Sequence, residues 1–208
     1  MKKLIGVFLL SFLLLCSLSS SARAYLLYTN GPVNGTIDGW SIAFYTTTDS
    51  FTLGANADVT QAIFYAWVNG GQLPSPAWTV NAAITGAALG GTTYSSITGD
   101  VISADYLFTN GYGYDIYKDT IQFPSVPMLA GTYWLQLTDA YDNSGNQMFW
   151  DQNNGPSAAW GSYGYAPAGS QAFEIDGRNY TGAPEPCTLL LLGSGLAGLA
   201  AFRKKFRA

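Results

Sequence analysis

Histidine occurs nowhere in these 208 residues. That excludes Ser-His-Asp and Cys-His nucleophile systems and every histidine-ligated metal site. Cysteine occurs twice, as Cys16 and Cys187, both in terminal segments, so the stretch between them folds with no disulfide. Bases are scarce as well: seven of the nine Lys and Arg lie in 1–24 or 184–208. Residues 25–183 keep only Lys118 and Arg178 against eleven Asp and Glu174, a net of −10 concealed by the whole-chain value of −4. Such a domain repels nucleic acid and anionic lipid, and attracts cations or basic partners. Away from the two termini no window carries a 3.6-residue apolar stripe, so the middle of the chain is not helical.

What the middle has is aromatic residues. All 14 Tyr, all six Trp and seven Phe fall in residues 25–183, which excludes a disordered acidic tail. Short β-branched and aromatic runs alternate with Gly, Asn, Asp and Pro, the pattern of strands and turns. Trp40, Ile42 and Phe44 alternate with Ser41, Ala43 and Tyr45. Residues 61–68 are apolar on both faces, which predicts a central strand. Trp78, Val80, Ala82 and Ile84 predict one buried face, as do Tyr133, Leu135 and Leu137, and Phe173 and Ile175 predict a short final strand. Tyr112, Tyr114 and Ile116 are even-numbered but Ile121 and Phe123 are odd, which predicts a bulge near Lys118-Asp119-Thr120. Asn69-Gly70-Gly71, Leu89-Gly90-Gly91 and Asn143-Ser144-Gly145 predict turns. The expected fold is all-β: one antiparallel two-sheet sandwich, jelly-roll or Greek-key-like, over residues 25–183.

The ends carry targeting chemistry. Lys2 and Lys3, then apolar Leu4 to Leu18, then Ala22-Arg23-Ala24 predict a secretory signal peptide over 1–24, read by the Sec machinery and cleaved before Tyr25. Leu15 before Cys16 is too large for a lipobox. At the other end, Pro184-Glu185-Pro186 precede a charge-free run from Leu189 to Phe202, closed by Arg203, Lys204, Lys205 and Arg207. Proline disfavours helix in the residue before it, so the apolar helix cannot extend backwards. The basic cluster holds its end at the cytoplasmic face. Fourteen helical residues reach ~21 Å against a hydrocarbon core of ~30 Å, which suits a span meant to be processed. Gly193-Ser194-Gly195-Leu196-Ala197-Gly198 spells a dinucleotide fingerprint, but it lacks the preceding strand and following acid, so it reads as close helix packing.

This tail resembles the PEP-CTERM sorting signal of Gram-negative bacteria, whose carriers are processed by a membrane enzyme called an exosortase. The resemblance covers residues 184–208. It implies export across the inner membrane, transient anchoring there through the C-terminal transmembrane helix, and a final place at the cell surface or outside. Cys187 reads as a cleavage-site residue, a lipid-attachment site or an unreactive small residue. Asp49-Ser50-Phe51-Thr52-Leu53, Tyr114-Asp115-Ile116-Tyr117 and Gly131-Thr132-Tyr133-Trp134-Leu135 are similar in pattern to β-sandwich ectodomains found before such tails. That likeness transfers no catalytic residue.

Two ligand sites are open to the ectodomain. No cofactor is expected, although Asp139, Asp142, Asn143 and Asn146 could converge oxygens on calcium; glycine falls fourth from Asp142 where an EF-hand needs it sixth. The same residues make an Asx-type hairpin turn. Tyr112, Tyr114, Trp150 and Trp160 could stack sugar rings, or pack the core, with Trp160 and Tyr163 expected to be exposed. Glycoside hydrolysis needs two acids flanking the scissile bond, and no pair among the twelve is marked out. The function expected is therefore that of an exported surface or matrix protein with a structural or adhesive role. The alternatives are a glycan-binding lectin-like module and, third, a carboxylate-based hydrolase; expected partners are the exosortase, exopolysaccharide and matrix proteins.

Overall fold

The computed structural model describes residues 24–71, 78–163, 166–167, 169–179 and 194. The signal peptide with Ala22 of its cleavage site, though not Ala24, and the tail helix apart from Ser194 lie outside these residues. Among the described residues no helix is long and apolar enough to cross a membrane. Arg23–Tyr180 form one compact unit.

Among the described residues of this unit fourteen strands follow one another. They are β1 (Tyr25–Thr29), β2 (Gly39–Ser41), β3 (Thr47–Leu53), β4 (Ala57–Asn69), β5 (Thr79–Ala87), β6 (Gly90–Asp100) and β7 (Ser103–Thr109), then β8 (Tyr114–Met128), β9 (Gly131–Tyr141), β10 (Phe149–Asn153), β11 (Ala159–Gly161), β12 (Ala166–Pro167), β13 (Ser170–Gln171) and β14 (Phe173–Asn179). All pairings are antiparallel and form two sheets. In the first, β4 has β8 along one side and β14 and β10 end to end along the other; β7 lies outside β8, and β1 outside β14. The second runs β12-β11-β3-β9-β5-β6.

β4 forms because Val59, Ile63, Phe64, Tyr65, Trp67 and Val68 are β-branched or aromatic and sit well on a pleated surface. Its central place follows from having two buried faces. Ala62, Phe64, Ala66 and Val68 join the core, while Ile63, Tyr65 and Trp67 are buried on the opposite face. The alternation in β5 and β9 puts Val80, Ala82, Ile84, Tyr133, Leu135 and Leu137 into the same core, as their spacing predicts. Phe51 of β3 meets Phe173 of β14 at 6.4 Å and Tyr28 of β1 at 6.1 Å, so the two sheets share one aromatic interior. Burying side chains of this size contributes roughly 1.5–3 kcal/mol each.

Two expectations need correction. The strand expected around Trp40 to Tyr45 ends at Ser41: Ile42 is buried and bonded to Met148 and Ala140, the chain bends, and Phe44 is exposed. More instructive is β8. It has no bulge at Lys118-Asp119-Thr120; register with β4 runs unbroken from Tyr114↔Asn69 to Gln122↔Gln61, and shifts only between Gln122 and Val126. The strand keeps period 2 while the hydrophobic pattern does not. Tyr117, Ile121 and Phe123 enter the inter-sheet core at odd positions, and Asp119, wholly buried, takes the odd slot between the first two. Ile116 is buried on the outer face, where the loop at Gly35 and Phe108 of β7 lie against it.

Candidate functional site

The chemistry-bearing surface is the outer face of the first sheet at the end of β4. Asn110 builds the turn from β7 into β8 by accepting the backbone N–H of Tyr112 and of Tyr114 on its Oδ1, both at 3.0 Å. Gly113 (φ 85°) supplies the left-handed residue that this turn needs. Tyr112 is thereby carried over Trp67, with ring centroids 5.8 Å apart and planes inclined by 22°. Its hydroxyl donates to the Thr36 carbonyl at 3.3 Å. One face of Tyr112 thus rests on a buried indole, while the residue is 66% exposed. Tyr114, 5.7 Å from Trp67, and Phe149, 5.6 Å from Tyr114, extend the aromatic cluster.

Asp151 holds this platform from below. Its buried carboxylate accepts the Trp67 indole N–H at 2.6 Å and the backbone N–H of Asn34 and Gly35 at 2.7 Å each. Burial raises its pKa, against the lowering effect of these three donors. Asp151→Ala would leave the indole and both amides unpaired. At ~1–3 kcal/mol for each buried group left unsatisfied, a loss of about 3 kcal/mol is expected, read as a lower melting temperature with faster amide exchange over residues 31–37.

Beside the platform is a cleft of about 310 Å³ between Gly31–Asn34 and Asn153–Pro156. Asn34 spends its side-chain oxygen on Thr36, and Asn154 is exposed with no hydrogen bond to a described group. Asn153 is committed to the fold, donating to the carbonyls of Asn30 and Pro32. Carboxamides beside an aromatic face suit a neutral, hydroxyl-bearing ligand.

The four aromatic candidates do not form one site. Tyr112 and Tyr114 share the platform. Trp150 is unavailable to a ligand: it is 0% exposed, packs on Phe173 at 5.6 Å and donates its indole N–H to the Ala172 carbonyl. Trp160 is on β11 of the second sheet, 37% exposed, with Tyr163 at 65% nearby in sequence and Tyr45 4.9 Å from Tyr163. Trp67 does not show as a site residue in sequence, where it reads as one more core aromatic. The signal that points to Asp151 is its alternation with Trp150, which sends the two to opposite faces.

At the β9–β10 turn, Asp142 accepts the backbone N–H of Ser144 and Asn146 on Oδ1 and the Asn146 amide on Oδ2. Asp139 turns away to accept from Asn81 at 2.7 Å. Asp142, Ser144 and Asn146 therefore make the Asx-type turn, while Asp139 Oδ2 is engaged by Asn81. Among the described residues no group of three or more Asp, Glu or Cys is placed to hold a metal ion.

A buried polar cluster, invisible in sequence, ties both sheets together. The Asn30 amide nitrogen lies 3.2 Å from Asp49 Oδ2, 2.5 Å from Ser157 Oγ, 2.7 Å from Ser170 Oγ and 2.5 Å from the Gln171 carbonyl. Asp49 also accepts from Ser157 Oγ and from the amides of Gln171 and Ser50. Burial outweighs these donors and pushes the Asp49 carboxyl up to about 7. Asp119 has no donor among the described residues: both carboxylate oxygens are buried without a hydrogen bond, and burial raises its pKa well above the usual range, with Asp105 adding to the rise.

Pro184, Glu185, Pro186, Cys187 and the basic cluster Arg203, Lys204, Lys205 and Arg207 lie outside the described residues. No curated protein matches this chain. Residues 183–205 match the PEP-CTERM protein-sorting motif, and the chain thus carries at its C-terminal end the signal that directs an exported protein to exosortase-type processing.

Proposed function

We propose that this chain is a surface or extracellular-matrix protein whose acidic β-domain has a structural or adhesive role. The observation that carries this reading is the sorting motif at residues 183–205. Residues 1–24 serve as the cleaved signal peptide, 25–183 as the ectodomain and 184–208 as the processed tail. The ectodomain suits a scaffold, because Asp49, Asp142 and Asp151 spend their carboxylates on its own donors. The pair β3·β9 in one sheet continues into β4·β8 in the other, which favours the wound pairing of a jelly roll. Mass spectrometry of the mature surface protein is expected to find a C-terminus upstream of Arg203. A mature form that still ends at Ala208 would reduce the signal to a plain anchor.

The Tyr112–Trp67 stack favours one second reading, glycan binding at the platform. Tyr112→Ala is then expected to weaken binding to a neutral exopolysaccharide about tenfold, ~1.4 kcal/mol. Trp160→Ala, on the other sheet, should leave it unchanged. Equal binding by all three proteins would end this reading.

A further inference from the structure

Two sides of the domain are built differently. On one, the second sheet ends in β11 and β12, three and two residues long, and β12 contains Pro167. Short strands and proline are the usual protection against edge-to-edge pairing. On the other side the sheets end in β6 and β7, eleven and seven residues long. β6 pairs only with β5, and β7 only with β8, among the described strands. The two edges are consecutive in the chain, and their link is pinned to both sheets by Val101 N–H to the Trp78 carbonyl and Ile102 N–H to the Thr120 carbonyl.

From Gly90 to Gly99 this edge has no charge and no proline. Bulges disturb its first half, where Tyr94 is the extra residue opposite Ile84 and Thr85, but pairing is regular from Ser95 to Asp100. Ser96 and Thr98 are exposed, while Ile97 packs toward the core. In a domain with a net of −10, a ten-residue uncharged edge is the place where a second copy can approach with least repulsion.

We propose that Ser95–Gly99 is a homotypic docking edge, on which two copies pair antiparallel and join their second sheets. The register is set by charge. Centring the pair on Ile97 puts Ser96 opposite Thr98 and Ser95 opposite Gly99 of the other copy. In this register position 100, the first acid beyond Gly99, pairs with position 94 of the other copy and not with itself. Ile97 meets Ile97, a β-branched cross-strand pair. Such an interface is self-complementary, as two-fold symmetry requires. This inference concerns the ectodomain alone, so its failure would leave the sorting-based reading untouched.

The test is sedimentation of residues 25–183, which contain all the described pairings and the core. Raising salt from about 0.05 to about 0.5 M screens the −10 repulsion and should strengthen a concentration-dependent dimer. The double variants S96K/T98K and S96E/T98E each place like charges opposite each other across the edge. Each alone should lose at least about tenfold in dimer affinity, and mixing the two should restore a heterodimer. In the unmodified domain, amide exchange over Ser95–Gly99 should slow as concentration rises, a readout that needs no variant. A monomer at every salt and concentration would overturn the proposal. So would a dimer indifferent to both variants, or one whose β6 amides exchange at the monomer's rate.

Discussion

Acidification from pH 7 to pH 5 is expected to stabilise this domain, where most acidic proteins gain nothing or lose. The sign follows from the buried carboxyls. Asp49 titrates at about 7 in the folded domain but near ~4 in the unfolded chain. Between those values the folded state holds a proton that the unfolded state has released. Stability therefore falls as pH rises through this window and is regained on acidification. From Asp49 alone the gain between pH 7 and pH 5 is on the order of 2 kcal/mol, or roughly 5 °C in melting temperature for a domain of this size. Asp151 and Asp176, both raised chiefly by burial, act in the same direction, and relief of the −10 self-repulsion adds to it.

Two variants isolate the cause. Asp49→Asn removes its own share of the gain and should make the profile between pH 5 and pH 7 shallower by about 2 kcal/mol, leaving the part due to the other buried carboxyls. Asp119→Ala should raise stability outright, by about 2 kcal/mol at pH 7, because it removes a buried carboxyl that no donor compensates. That gain should shrink at pH 5, where taking up a proton on folding costs the buried carboxyl less than at pH 7. The contrast with Asp151→Ala is physical: both residues are buried aspartates, but Asp151 satisfies three donors and Asp119 none. Thermal melts from pH 8 to pH 5 decide the matter. A midpoint that falls steadily on acidification would show that Asp49 is already fully ionised at neutral pH, its donors outweighing its burial.

The second large effect is all-or-none and concerns the tail. Glu185→Ala is expected to leave export intact and to abolish processing, holding the chain in the inner membrane with its C-terminus cytoplasmic. Neutralising Arg203, Lys204, Lys205 and Arg207 together should act differently. Without the basic stop, an uncharged span reaching ~21 Å cannot hold in a ~30 Å core, and the unprocessed chain should pass into the periplasm. A tag after Ala208 separates the two, being protected behind the inner membrane in the first case and open to periplasmic protease in the second. Normal processing of Glu185→Ala would remove Glu185 from the recognition step.

The sorting motif was fully legible in sequence, because it is read locally, as residues in order: a proline-flanked acid, an apolar run and a basic end. Strand faces were legible for a related reason. Period-2 alternation alone assigns Val80, Ala82 and Ile84, or Leu135 and Leu137, to one side, and the first sheet's central strand β4 announces itself by being apolar on both. Alternation does not say which of two apolar faces will be covered, or by what. Only the tertiary structure decided that Trp150 goes into the core while Trp67 lies outside it under Tyr112, and that Asp119 fills a core slot in a strand whose outer apolar residues had made it look bulged. Convergence was equally out of reach. Asn30 meets Asp49, Ser157, Ser170 and Gln171 across separations of 19 to 141 residues, and the raised Asp49 pKa exists only because both sheets close over it. Local pattern carried the sorting signal and assigned the faces of the most regular strands. Burial, which belongs to the packed whole, decided what its aspartates do.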